Sequence, residues 1–396
     1  MFRDDTNQIL KGLKQSPLRQ FDQEVGQIPG IVKLTLGEPN FSTPAHIKMA
    51  AISAIAANES HYTPIAGLPE LREAAANYYN QKFNLNYTAE NTLVTVGATE
   101  GVSASFQALL QPGDSVIVPT PIYPLYLPLI KLQHATPILV DTSADDFVLT
   151  PERLQTVLDQ HRQDHVKAIV LNAPSNPTGI AYTRSEMQAL AAILKQEQLW
   201  VLSDEIYAEL TYGQKHTSMG ELLPEQTIVI NGLSKSHAMT GWRLGFAFAP
   251  KDLMAEMLKA HQYMVTMPTT FVQYAAIEAM KHGQNDCAPM VKIYQRRRDY
   301  VREHLQQLGF EVARPNGAFY VFAKIPASFK GDSWEFARQL AYDQKVAVIA
   351  GAAFGPGGER YIRISYAASD EALAQACRGI AKLMQHTQQQ PLTEAL

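Results

Sequence analysis

A chain of 396 residues, 46% of them apolar, is long enough to bury two hydrophobic cores, so two domains are expected. Its 34 basic and 38 acidic residues leave a net charge of −4, which argues against nucleic acid or an anionic membrane surface as the main partner. Cys287 and Cys377 form no CxxC pair, no run of apolar residues is long enough to span a bilayer, and the N-terminus lacks the apolar core of a secretory signal, so a cytoplasmic protein with free thiols is expected.

Residues 1–30 read as a polar arm with a short helix over 18–27. A strand at 33–36 follows and ends in Gly37 and a Pro-fixed loop, Glu38-Pro39-Asn40. Gly37 has no side chain to keep a ligand from its backbone N–H. His61-Tyr62-Thr63-Pro64 is a loop leading through Leu68-Pro69 into an amphipathic helix over 70–82. Leu93-Val94-Thr95-Val96 is a strand that runs into Gly97-Ala98-Thr99-Glu100-Gly101 and then a helix over 102–110. Such a turn offers backbone N–H groups and the Thr99 hydroxyl to a phosphate, with the helix dipole adding to the attraction; alone the signal is weak, because many such turns bind nothing.

From here strands and helices alternate, with strands at 114–119, 136–140, 167–172, 200–203, 227–230 and 245–249 and helices at 151–160 and 184–195. The strands are near-continuous apolar runs, as in a mostly parallel sheet covered by helices on both faces, and the fold class is α/β. Ligands of such sheets sit beyond the carboxyl ends of the strands. Thr99, Tyr123, Asn176, Asp204, Tyr207 and Lys235 all fall there. Each has a bland reading as a turn former, a loop charge or a packed ring; their placement at successive strand ends favours one shared site.

Lys235 closes the strand 227–230 after Asn231-Gly232, within Ser234-Lys235-Ser236. Burial and a nearby cation deprotonate such an amine, which then forms a Schiff base with an aldehyde. Arg243 can supply that cation while forking onto a phosphate. Lysine and phosphate-binding arginine together point to pyridoxal 5′-phosphate, although a random lysine is usually a surface residue.

After Lys251 the chain reads as helices over 253–265, 270–282 and 291–308, the last leading into a smaller domain. That domain has strands at 319–323, 346–349 and 360–366, helices at 333–344 and 370–384, and a Gly-rich loop at 351–358. Arg363 lies within a strand, and if it points inward it needs a carboxylate. The expected division is an arm and part of the small domain at 1–47, a large cofactor-binding domain at 48–290, and the small domain at 291–396. Arg296-Arg297-Arg298 reads as a solvated helix face, His161 and His165 lack a third metal ligand, the loop 351–358 lacks the Lys-Ser/Thr of a P-loop, and the polar tail from His386 is expected to fray.

Seven motifs in order, GEPNF (37–41), YTPIAGLPELREA (62–74), VGATEG (96–101), NAPSNPTG (172–179), SDEIY (203–207), SKSHAMTGWR (234–243) and YIRISY (361–366), give the chain a resemblance to the class I aminotransferases of pyridoxal-phosphate fold type I over nearly its whole length. Within that family it looks most like bacterial aromatic amino acid and N-acetyl-diaminopimelate aminotransferases, to which RQFDQEV (19–25) also points. The resemblance implies that Lys235 holds the cofactor covalently and moves a proton at the substrate Cα, that Asp204 keeps the pyridine nitrogen protonated, and that Asn176 and Tyr207 bond the ring oxygen. It further implies that Tyr123 stacks on the ring and that Gly97, Ala98, Thr99, Ser234 and Arg243 hold the phosphate. Arg363, with the N–H of Gly37 and assistance from Asn176, would clamp the substrate carboxylate. Tyr62 would reach the phosphate of a second copy, in a homodimer with shared sites.

Three positions depart from the common pattern: Gly232 stands where many relatives carry a phosphate-binding serine, Asn40 replaces an acid, and Ala350 replaces a proline. Ser234 or Ser236 is the expected substitute for the serine. The resemblance implies transfer of an amino group from an L-amino acid, aromatic by preference, to 2-oxoglutarate. The alternatives are N-acetyl-diaminopimelate or aspartate-type transamination, a lyase or decarboxylase on the same scaffold, and a ligand-sensing regulator, which would carry an added basic DNA-binding domain.

Overall fold

The computed structural model describes residues 6–389, so the end of the polar tail lies outside the described residues. Its strands in chain order are β1 (Val32–Lys33), β2 (Thr92–Thr95), β3 (Asp114–Thr120), β4 (Thr136–Asp141), β5 (His165–Asn172), β6 (Trp200–Asp204), β7 (Thr227–Gly232), β8 (Gly245–Phe248), β9 (Glu311–Val312), β10 (Tyr320–Lys324), β11 (Val346–Ala347), β12 (Ile349–Ala350) and β13 (Tyr361–Ser365). A 7-stranded sheet has the order β2-β8-β7-β6-β5-β3-β4. Within it β8 runs antiparallel to both its neighbours, and the other pairs are parallel.

Apolar runs become central strands because both faces of this sheet are covered. Along β7 the alternation of side chains sends Val229 into a core with the helices Pro69–Phe83 and Thr270–His282. Ile228 and Ile230 point the other way, into a core with Gly97–Leu109 and Lys251–Val265. β4 is one of the two edges, and among the strands of this sheet the pattern alternates between exposed and buried there alone; β2, the other edge, is buried throughout.

A second, 4-stranded antiparallel sheet, β12-β13-β10-β9, packs with the helices Cys287–Gln307, Ser333–Gln344 and Asp370–Gln389. The N-terminal segment joins this layer: Phe21 and Val25 of the helix Pro17–Val25 are buried in its core, and β1 pairs with β11. Cys287 and Cys377 are both free and buried. Among the described residues no helix is long and apolar enough to cross a membrane.

Several boundaries differ from the sequence reading. The helix expected over 102–110 begins at Gly97, because Gly97 makes the turn at φ +74° and Gly101 is helical. A Cβ at Gly101 would come 3.3 Å from Ile230, so this glycine serves close packing of helix on sheet. The strand expected at 346–349 divides at Val348 into β11 and β12, which join different sheets. The helices Gln8–Gly12, Ala45–Ala56 and Tyr126–Leu132 were not expected. Ala45–Ala56 carries Met49, Ile52 and Ile55 on its exposed side and Ile47, Ala51 and Ala54 on its buried side, so its apolar residues show no single face. The expected boundary at 290/291 falls inside the helix Cys287–Gln307. Of the arginine triplet only Arg296 is solvated; Arg297 bonds Asp370 (2.8 Å) and Asn40 (2.9 Å), and Arg298 lies 4.9 Å from the centre of the Tyr212 ring.

Candidate active site

Parallel strands bring their carboxyl ends to one edge, and β8, running the other way, brings its amino end there. Thr99 follows β2, Tyr123 follows β3, Asn176 follows β5, Asp204 ends β6, Lys235 follows β7, and Arg243 precedes β8. A cavity of about 580 Å³ opens at this edge, lined by Ala98, Thr99, Tyr123, Asn176, Asp204, Tyr207, Ser234, Lys235 and Arg243 and closed from the small sheet by Gly37, Tyr320 and Arg363. Of the expected site residues, Gly97 and Tyr62 do not line it. Gly97 lies beneath Arg243, and Tyr62 projects outward, 88% exposed.

Lys235 donates a 2.6 Å hydrogen bond from Nζ to the carbonyl of Gly37. Burial lowers its pKa from 10.5 to about 8; Glu38 and Asp204 work against that shift, and the Arg243 and Arg363 guanidiniums add to it. Asp204 is buried, which raises its pKa, while two donors hold the ionised form: Tyr126 Oη at 2.7 Å and the Ile206 N–H at 3.2 Å. The hydroxyl of Tyr207 lies 2.7 Å from that of Tyr320, which arrives from β10 of the other sheet. A Cβ on Gly37 would collide with that same Tyr320 hydroxyl, so only glycine fits at the loop that faces Lys235.

Arg363 points inward and is 2% exposed. Its guanidinium is stacked 4.6 Å from the Tyr320 ring centre and 4.9 Å from that of Phe354. Nη1 donates to Asn176 Oδ1 at 2.9 Å and Nη2 to the carbonyl of Thr35, while Nε is buried without a partner. Among the described residues no carboxylate pairs with it, and burial lowers its pKa. Asn176 is itself fixed by Asn172, whose Oδ1 accepts the Asn176 N–H at 2.9 Å. A buried cation stabilised only by aromatic faces and neutral oxygens is suited to an arriving anion.

On the opposite side the helix Gly97–Leu109 begins with no side-chain cap, so its first N–H groups are free of capping bonds. A Cβ on Gly97 would lie 2.9 Å from Arg243 Cζ, so the glycine lets the guanidinium approach the turn. Arg243 donates to the Thr240 carbonyl at 3.0 Å and has no ion pair among the described residues. Ser234 faces the cavity, whereas Ser236 is buried 2.8 Å from His237 Nδ1 and faces away. Three groups were missed: Tyr126, Tyr320 and Asn172. Their roles depend on tertiary placement, although Tyr126 stands three residues after Tyr123 on the same strand-end segment.

The family model described as aminotransferase class I and II matches residues 29–380. The chain belongs to this family. It is 44% identical over 368 residues to the probable N-acetyl-LL-diaminopimelate aminotransferase of Bacillus subtilis (strain 168), covering 93% of this chain and 92% of that protein. It is 38% identical to an aspartate aminotransferase of Pyrococcus horikoshii, over 94% of this chain and 95% of the relative. Among solved structures, the aspartate aminotransferase of Thermus thermophilus with maleate superposes with a TM-score of 0.90 at 35% identity, covering 96% and 99% of the two chains. The aromatic aminotransferase of Pyrococcus horikoshii OT3 superposes at 0.87 with 34% identity, covering 93% and 99%.

This aminotransferase is therefore an enzyme of the pyridoxal-phosphate fold type I class, acting on amino and oxo acids with pyridoxal 5′-phosphate as cofactor. The residues present fit that cofactor: an amine whose pKa is lowered to about 8, a buried carboxylate, and a glycine turn beneath an arginine that has no ion pair among the described residues. When bound, the cofactor supplies an electron sink for the negative charge left at the substrate Cα.

Proposed function

We propose that this aminotransferase moves the amino group of an L-amino acid with an aromatic side chain to 2-oxoglutarate in two half-reactions that share one cavity. Lys235 holds the cofactor and moves the proton at the substrate Cα, a task suited to an amine with a pKa near the working pH. Asp204, oriented by Tyr126, would keep the ring nitrogen protonated, while Asn176 and Tyr207 would bond the ring oxygen and Tyr123 would pack against the ring. The N–H groups of Gly97 and Ala98, the Thr99 and Ser234 hydroxyls and Arg243 would hold the phosphate. Arg363 and the Gly37 N–H bind the substrate α-carboxylate, with Asn176 fixing the guanidinium; the buried Arg363 without an anionic partner is the observation that carries this assignment.

The aromatic preference is supported by the cavity walls, which include Leu18, Leu36, Leu125, Ile206, Tyr123 and Tyr126, and by the likeness to an aromatic aminotransferase. The 44% identity to an N-acetyl-LL-diaminopimelate enzyme favours a second reading, in which that amino acid is the donor and the mechanism is unchanged. The unit of function in this account is a homodimer. Exposed Tyr62, Tyr263, Met49, Ile52 and Ile55 support an apolar contact with a second copy, through which Tyr62 reaches the other site. Residues 48–290 act as the cofactor-binding domain, and 1–47 with 291–396 act as the small domain that carries Arg363.

Titrating the holoenzyme with phenylalanine, aspartate and an N-acetylated diaminopimelate, while following the cofactor absorbance, tests the donor. Conversion to the amine form by phenylalanine, reversed by 2-oxoglutarate, supports the first reading. Preferential conversion by the diaminopimelate supports the second.

A further inference from the structure

Glu100 is the acidic residue in the first turn of the helix Gly97–Leu109, next to the N–H groups read above as the phosphate cradle, and it is buried. The helix dipole favours an acid at this place, but a phosphate arriving at the same helix end competes for that field and is repelled by the acid. Glu100 is held out of that competition. Its Oε2 accepts the Val96 N–H at 3.1 Å, and its Oε1 lies 3.1 Å from Nδ1 of His261. Among the described residues His261 is its single ion-pair partner.

His261 comes from the helix Lys251–Val265 and is fully buried. Its Nε2 lies 3.0 Å from the carbonyl of Ile65. That carbonyl is fixed from both sides: Thr270 Oγ1 donates to the His61 carbonyl at 2.7 Å, Gln273 Nε2 donates to Thr63 Oγ1 at 3.0 Å, and the Leu68 N–H donates to Gln273 Oε1 at 2.8 Å. A carbonyl oxygen only accepts, so Nε2 carries a proton. Nδ1 then faces Glu100 either as a donor to the carboxylate or as an acceptor from the protonated acid, because two facing lone pairs at 3.1 Å would repel. In both forms the pair of side chains has no net charge.

We infer that His261 is a positioning residue for the cofactor phosphate and acts through Glu100: it cancels the charge of the acid on the phosphate-binding turn and keeps that acid on the Val96 N–H. The inference rests on the reading of Gly97, Ala98, Thr99 and Arg243 as the phosphate cradle. Neither Glu100 nor His261 lines the cavity, so neither touches cofactor or substrate. Their effect is on the charge and shape of the turn. Without the imidazole, the first turn would carry a buried carboxylate with no counter-charge, and that arrangement is least favourable when a phosphate is bound beside it.

The test compares the dissociation constants of pyridoxal phosphate and of pyridoxal, which lacks the phosphate, measured by equilibrium dialysis of the full-length enzyme at about pH 8, where ordinary carboxyl groups are ionised. The variants are His261→Leu, Glu100→Gln and the two combined. His261→Leu is expected to lose at least about tenfold in affinity for pyridoxal phosphate relative to pyridoxal. Glu100→Gln, whose amide can still bond both the Val96 N–H and Nδ1, should keep that ratio within about threefold of wild type, and the double variant should regain most of what His261→Leu loses. Packing alone predicts equal losses for the two ligands and no recovery in the double variant, and either result would overturn the assignment. Where His261→Leu does not fold, His261→Gln, which retains a donor for the Ile65 carbonyl, takes its place with the same expected direction. Arg243→Ala serves as the reference for the cradle itself: if it too loses both ligands equally, the phosphate reading fails and the role of His261 with it, whereas a selective loss there with none in the His261 variants rejects His261 alone.

Discussion

Arg363 Nη1 donates a 2.9 Å hydrogen bond to Asn176 Oδ1, linking β13 of the small sheet to the loop that follows β5 of the large one. The bond joins the proposed carboxylate clamp to a proposed contact of the cofactor ring, so substrate position and ring position are set by one pair of side chains. Asn172, holding the Asn176 N–H, extends the link to the end of β5 itself.

Replacing Arg363 with lysine keeps a charge but loses the fork and the stacking between Tyr320 and Phe354. KM for the amino acid is expected to rise roughly 10–100-fold, as for loss of a charge-assisted hydrogen bond of about 1.5–3 kcal/mol. Steady-state kinetics with an amino acid and with the matching amine lacking a carboxylate check this: the amino acid should lose most of its advantage over the amine.

The pH dependence of cofactor capture by the apoenzyme should follow Lys235. Its pKa is lowered to about 8, so the amine is largely protonated at pH 7 and largely free at pH 9. The rate of covalent cofactor binding, read by stopped-flow absorbance, is expected to rise through about pH 8 and level off above it. The same shift affects stability. The unfolded chain holds more protons on this lysine between about pH 8 and the ordinary 10.5, so the contribution of Lys235 to apoenzyme stability grows with pH across that window.

Tyr126→Phe removes the 2.7 Å donor to Asp204. Burial raises the pKa of Asp204 and the Tyr126 bond lowers it, so losing the bond raises it further and narrows the range over which the carboxylate is ionised. The acid limb of the kcat profile should move to higher pH, and kcat at neutral pH should fall up to about tenfold, matching a hydrogen bond of about 1–1.5 kcal/mol. A profile that falls in height without moving would assign Tyr126 to packing alone.

Gly97→Ala places a Cβ against the Arg243 guanidinium at a backbone with φ +74°. The left-handed conformation costs about 1–2 kcal/mol for a non-glycine residue, and the displaced guanidinium no longer sits over the turn. The variant should retain cofactor at least about tenfold more weakly, measured by equilibrium dialysis with pyridoxal phosphate. Thr99→Ala, which leaves the backbone free, should lose less.

The sheet and most of the site were legible in the sequence because strand ends are marked by residues with unusual local demands. Gly97, Asn176 before Pro177, and Asp204 after an apolar run each have a bland reading alone, and their joint placement at successive strand ends is what marked them. Groups that reach the cavity from elsewhere were less legible: the role of Arg363 came only from the resemblance, and Tyr320 was missed. Tyr320 lies 113 residues from the Tyr207 it bonds, and nothing local distinguishes it from a core tyrosine. The inward orientation of Arg363 could not be decided from a strand flanked by Ile362 and Ile364, since alternation allows either face; the register Phe322 to Arg363 with Phe354 above it decides the matter. The helix Ala45–Ala56 was missed because its apolar residues occupy both its buried and its exposed side.

The most direct test of the account is to reduce the holoenzyme with borohydride, digest it, and locate the pyridoxyl label by mass spectrometry. The label is expected on the peptide carrying Lys235, with Lys235→Ala unlabelled and unable to complete transamination at more than a trace of the wild-type rate. A label on another lysine, or a Lys235→Ala variant that transaminates at the wild-type rate, would contradict it.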